Sequence, residues 1–145
     1  MRAKVLAAPS PQPLTIEERA PRGSLFRVRP VLAVAAGGAA GGLIRALLGE
    51  TSATWPWPTL VVNLVGAFIL GVVVMYGRRH WPAEVMAGVA VGALGALTTF
   101  STMSGELWDF LDAGEWGDVA SYGLASVVGG GLAAVAGIRV GRAIR

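Results

Sequence analysis

The segment GALGALTTFSTMSGELWDF, Gly92 to Phe110, decides how this chain folds. It begins as apolar sequence of the kind that crosses a bilayer. It then sets Thr98, Thr99, Ser101, Thr102 and Ser104 at positions where a spanning helix is still within the membrane, with Phe100 among them. Gly92 and Gly95 lower helix propensity, and the β-branched Thr98 and Thr99 compete for backbone hydrogen bonds. A helix break near residues 95–102 is therefore expected. Non-helical backbone at membrane depth persists only where it is buried in protein or lines a cavity, and its freed carbonyls and helix ends bind ions.

Composition sets the frame for that reading. The 145 residues are 54% hydrophobic and only 14% charged, with a mean hydropathy of +0.60, too few polar side chains to coat a soluble domain. The class is an all-α integral membrane protein. Cysteine is absent, which excludes disulfide frameworks, thiolate metal sites and cysteine nucleophiles. A sequence pI near 10.2 would suit nucleic acid, but the basic residues flank apolar segments rather than forming a face with interleaved aromatics. His80 is the only histidine and has no acid or cysteine clustered at metal-ligand spacing, so an enzyme is disfavoured.

Residues 1–30 contain Pro9, Pro11, Pro13 and Pro21 with mixed charge and no apolar run of helix length. They read as a flexible cytoplasmic tail without a cleaved signal, because the first apolar run begins at Val31. Residues 31–145 form the membrane domain, with predicted spans at 31–48, 59–77, 82–111 and 119–141. The third is longer than a bilayer core about 30 Å thick requires of a continuous helix. Trp55, Trp57, Trp81, Trp108 and Trp116 fall at span ends, where amphipathic rings sit at headgroup level. Arg2, Lys4, Arg19, Arg22, Arg27 and Arg29 precede span one, Arg78 and Arg79 follow span two, and Arg139, Arg142 and Arg145 end the chain. The opposite loops hold Glu50, Glu106, Asp109, Asp112, Glu115 and Asp118 without a basic residue. The positive-inside rule places both termini in the cytoplasm, in the inner (plasma) membrane.

Glycines recur at four-residue spacing: Gly37 with Gly41, Gly38 with Gly42, Gly88 with Gly92, Gly137 with Gly141. Tight packing inside a bundle is the ordinary use of such faces, and their number also suggests self-association. Thr59 and Asn63 share one helical face, as do Tyr122 and Ser126. Each pair either lines a polar track or makes interhelical hydrogen bonds. Arg45 lies about a turn from the end of span one, where it either snorkels to the interface or attracts anions at a pore mouth. Phe100, beside the expected break, can turn its electropositive ring edge to an anion, although core packing is the commoner use of such a ring.

On these residues the chain resembles the CrcB/Fluc family of fluoride channels. The carriers are GGAAGGLIRALLG in span one, TLVVNLVGAFILG in span two and GALGALTTFST in span three, and the likeness runs from Val31 to about Gly141. The resemblance implies a fluoride-specific channel that exports the ion from the cytoplasm down its electrochemical gradient and relieves its toxicity. It further implies an antiparallel dimer with two narrow pores and a structural Na+ at its centre, held by backbone carbonyls of the span-three break. Those carbonyls fall at Gly95 and Thr98. Asn63 matches the pore asparagine and Phe100 the first phenylalanine of a ring-edge pair. Thr59, Tyr122 and Ser126 fall on the polar track, and Arg45 on the vestibule. Met103 stands where the family pattern commonly has a second phenylalanine; a thioether fills that space but presents no ring edge.

One-sided loop charge predicts a single orientation, which favours an oppositely oriented paralogue as partner over a homodimer. Two other functions fit a short four-span chain. A proton-coupled multidrug exporter needs a titratable acid inside the membrane, and Glu84 and Glu106 read as lying at span ends. A non-conducting assembly subunit explains the glycine faces but leaves the span-three hydroxyls without a use.

Overall fold

Four hydrophobic helical units account for the chain in the computed structural model, which describes residues 28–49 and 55–144. Most of the expected tail lies outside those residues, together with Glu50 and Arg145. Every regular element among the described residues is helical: α1 (Val28–Gly49), α2 (Trp57–His80), α3 (Ala83–Met86), a π-helical segment (Ala87–Ala93), α4 (Leu94–Leu97), α5 (Phe100–Asp112) and α6 (Trp116–Ala143). The third span comprises α3, the π-helical segment, α4 and α5, 30 residues from Ala83 to Asp112.

Local chemistry explains the boundaries. Pro58 sits in the first turn of α2, where its missing N–H is not needed. Trp81 takes an extended conformation ahead of Pro82 and ends that helix. Gly114, with φ of +75°, makes the left-handed turn between α5 and α6. Helices α1, α2 and α6 extend beyond both ends of the apolar stretches. At their ends Trp57, Arg78, Arg79, Trp116 and Arg142 are exposed, as residues suited to the headgroup region would be.

The helices pack in two parallel pairs, α1 along the third span and α2 along α6. Glycine permits both approaches. A Cβ on Gly37 would collide with the Gly88 carbonyl oxygen, and one on Gly137 with the Phe68 carbonyl oxygen. Gly41, Gly88, Gly92 and Gly141 meet backbone of the neighbouring helix in the same way. These six glycines are therefore spent within the chain, so any self-association must use other surfaces. The π-helical segment follows this contact: Gly88 and Gly92 are buried against Ala33 and Val34 of α1. Its widened turns lead directly to α4.

At Thr98 and Thr99 the backbone is extended, with φ, ψ of −78°, 145° and −141°, 118°. Thr98 Oγ1 donates to the Leu94 carbonyl at 2.8 Å. Thr99 caps α5, its Oγ1 accepting from the Thr102 amide at 3.1 Å. The Thr99 hydroxyl thus replaces a helical acceptor at the start of α5, while the Thr98 hydroxyl adds a second donor to the Leu94 carbonyl, which still accepts the Thr98 amide. A small core of Leu60, Met103 and Tyr122, flanked by Trp55, Leu64, Leu107, Phe110 and Ala125, joins α5 to α2 and α6 at one end of the bundle.

Candidate functional site

Asn63 of α2 faces the extended segment and pairs with it twice. Its Nδ2 donates to the Thr99 carbonyl at 3.1 Å, and its Oδ1 accepts from the Thr99 amide at 2.8 Å. The asparagine therefore acts as a splint, reproducing for one residue the bonding a neighbouring strand would supply. A primary amide has two N–H donors, so one remains after this pairing.

The same bonds change the carbonyls nearby. In an unbroken helix the Thr99 amide would donate to Gly95 and the Thr102 amide to Thr98. Here they donate instead to Asn63 Oδ1 and Thr99 Oγ1. The Gly95 and Thr98 carbonyls are thereby released from the helical ladder, and neutral hard oxygens of this kind suit an alkali cation.

Six of the residues named from sequence, Asn63, Gly95, Thr98, Phe100, Met103 and Ser126, border one cavity of about 330 Å3. Ser126 Oγ is buried there without a hydrogen-bond partner. Phe100 is 78% exposed, whereas Met103 is buried in the core beside Tyr122. The two positions of the expected ring pair thus point into different surroundings. Arg45 and Thr59 border a second cavity, of about 350 Å3, together with Thr102. Thr99 lines both cavities, so the extended segment stands between them. Arg45 itself is exposed, close to the end of α1.

Each pair expected on one helical face is divided. Asn63 and Ser126 meet at the first cavity, while Thr59 and Tyr122 meet at Glu106, a residue that sequence position alone assigned to a span end. The Thr59 hydroxyl donates to Glu106 Oε1 and the Tyr122 hydroxyl to Oε2, each at 2.6 Å. Glu106 is half-buried, six residues before the end of α5. Its carboxylate takes two hydroxyl donors from helices on either side. Those donors serve an acceptor belonging to the protein, so an anion reaches them only in exchange. Glu106 remains near the end of α5, as its sequence position indicated, with its carboxylate occupied by the two hydroxyls. The sequence signal available was the seven-residue spacing from Thr99 to Glu106, which puts both on one side of a helix; the partners, 47 and 16 residues away in sequence, had no local signature.

The sequence matches known proteins. A family model described as CrcB-like protein, Camphor Resistance (CrcB), matches residues 32–138. Among curated relatives, a protein of Bordetella avium named fluoride-specific ion channel FluC is 42% identical over 102 residues, 68% of this chain and 81% of that protein. One of Pseudomonas fluorescens with the same name is 44% identical, covering 74% and 93%. A third, fluoride-specific ion channel FluC 1 of Mycolicibacterium paratuberculosis, is 39% identical and covers 81% and 93%. The match takes in most of α1, all of α2 and the third span, and most of α6, and with them every residue that borders the two cavities. The chain belongs to the CrcB family.

Proposed function

We propose that this protein is a fluoride channel that lets the ion leave the cytoplasm down its electrochemical gradient. The carrying observation is the cavity beside the extended segment. At mid-span it combines an unpartnered hydroxyl at Ser126, the remaining N–H of Asn63 and the adjacent Phe100 ring. An unsatisfied buried hydroxyl is costly in a membrane, and a small anion would satisfy it. Fluoride sheds its water only for close-fitting donors, which these groups and the ring edge supply. Further along, Thr59 and Tyr122 are two more donors, and an ion takes them by displacing the Glu106 carboxylate. Arg45 holds anions at the neighbouring vestibule.

The functional unit in this reading is an antiparallel dimer with both termini of this chain cytoplasmic. The hydroxyls of the exposed Ser101 and Thr102 are a poor surface to offer lipid and favour a protein neighbour. A structural Na+ at the dimer centre would be held by the Gly95 and Thr98 carbonyls and would offset the partial negative charge they gather there. Among the described residues Arg29, Arg78, Arg79, Arg139 and Arg142 lie toward one end of the bundle with Glu84, and Asp109, Asp112, Glu115 and Asp118 toward the other with Arg45. That bias favours a partner of opposite loop charge. Purified chain alone that forms antiparallel dimers and passes fluoride would exclude the need for one.

Fluoride efflux from proteoliposomes, with and without a candidate partner, tests the channel. Phe100→Ile keeps an apolar side chain and removes the ring edge, so flux should cease while assembly persists. Retained flux would take Phe100 out of the path, and proton-driven efflux of a hydrophobic cation without fluoride flux would replace the channel by an exporter.

A further inference from the structure

We infer that Trp55 and Asp118 are positioning residues that aim the Tyr122 phenol at Glu106, an inference whose effect on transport rests on the channel reading. Trp55 precedes α2, and its indole Nε1–H donates to Asp118 Oδ1 at 3.1 Å, across 63 residues of sequence. Asp118 lies in the first turn of α6, where the helix dipole favours a carboxylate. The Trp55 ring meets Tyr122 edge to face, with centroids 5.2 Å apart and planes at 74°. Phe110 also meets the phenol ring edge-on, at 6.4 Å and 78°. Tyr122 is fully buried, and its hydroxyl is the one on Glu106.

The ordinary use of a tryptophan at a span end is to anchor in the headgroups, ring exposed and N–H toward water or lipid. Trp57, Trp108 and Trp116 fit that use, at 59%, 67% and 69% exposed. Trp55 does not. It is half-buried, its ring packs on a core tyrosine, and its N–H is taken by a carboxylate of the protein. The Asp118 bond ties the segment before α2 to the start of α6 and holds the indole against Tyr122. A 2.6 Å hydroxyl–carboxylate bond tolerates little displacement. Loosening the indole therefore loosens the phenol, and with it the donor pair that Tyr122 forms with Thr59.

Two measurements test this. The chain has only two tyrosines, so a ring-carbon label resolves Tyr122 from Tyr76 by solid-state NMR, whether or not the protein conducts. The hydroxyl-bearing carbon of Tyr122 should report a single hydrogen-bonded state in wild type and in Asp118→Asn, which keeps the acceptor oxygen. It should shift or broaden in Trp55→Phe and Asp118→Ala. In proteoliposomes the latter two should lose fluoride flux roughly five- to tenfold, the rate equivalent of about one hydrogen bond, while Asp118→Asn recovers it. In a Tyr122→Phe background, Trp55→Phe should have no further effect. An unchanged Tyr122 signal in Trp55→Phe and Asp118→Ala overturns the inference, as does an equal loss of flux from Trp55→Phe with and without the Tyr122 hydroxyl. Absence of wild-type flux removes the channel reading instead and leaves the NMR result to decide the positioning.

Discussion

Asn63→Leu is the sharpest test of how the third span is held open. The change roughly keeps side-chain volume, so it leaves little cavity term and isolates the two bonds to Thr99, at 3.1 and 2.8 Å. Measured side-chain hydrogen bonds between membrane helices average about 0.6 kcal/mol, which makes the pair worth roughly 1.2 kcal/mol if the freed groups find other partners. Thr99 is only 7% exposed. If its amide and carbonyl stay unpaired, each adds about 1–3 kcal/mol. Both cavities border Thr99 and can admit water to it, which holds the cost toward the lower end, at about 2–3 kcal/mol. Unfolding by dodecyl sulfate titration in bicelles reads this directly. Fluoride efflux should fall in the same variant, because the remaining Asn63 N–H is lost and the segment bordering both cavities loses its splint. A destabilisation below about 0.5 kcal/mol, the range of ordinary surface changes, would refute the reasoning.

Three further outcomes follow from the packing and the site. Gly37→Ala drives a methyl group into the Gly88 carbonyl and should destabilise the fold by about 1–3 kcal/mol, whereas Gly42→Ala, with nothing within 4 Å, should stay within about 0.5 kcal/mol; the same denaturant titration compares them. Met103→Phe restores a ring at the cavity shared with Asn63 and Ser126 and should raise fluoride efflux at an overpacking cost of about 1–3 kcal/mol. Unchanged efflux would place position 103 outside the path. Replacing sodium by choline should lower the thermal midpoint of the assembled protein, since an ion bound only to the folded state stabilises it by mass action. A midpoint independent of sodium would remove the ion from the Gly95 and Thr98 carbonyls.

Hydropathy alone determined the four spans, because crossing a bilayer is a local demand on about 20 consecutive residues. Charge at the loops predicted a direction for the same reason. The extended backbone at Thr98 and Thr99 falls on residues that are poor helix formers and whose hydroxyls reach their own backbone. Tertiary structure decided which partners those spans meet. Asn63 borders the cavity and also spends two of its hydrogen-bonding positions on Thr99. Of the two uses open to Thr59 and Tyr122 from spacing, a polar track or interhelical hydrogen bonds, the structure shows hydrogen bonds that converge on Glu106. Three of the four glycine pairs that suggested self-association, Gly37 with Gly41, Gly88 with Gly92 and Gly137 with Gly141, are consumed between α1 and the third span and between α2 and α6, while Gly42 has nothing within 4 Å. Trp55 shares its residue type and span-end position with four other tryptophans, yet it alone among them bonds a carboxylate in the fold. Spacing along one helix reports which residues share a face. Which neighbour that face meets depends on how closely the backbones approach, and six glycines at the helix contacts set that distance only once the helices are paired.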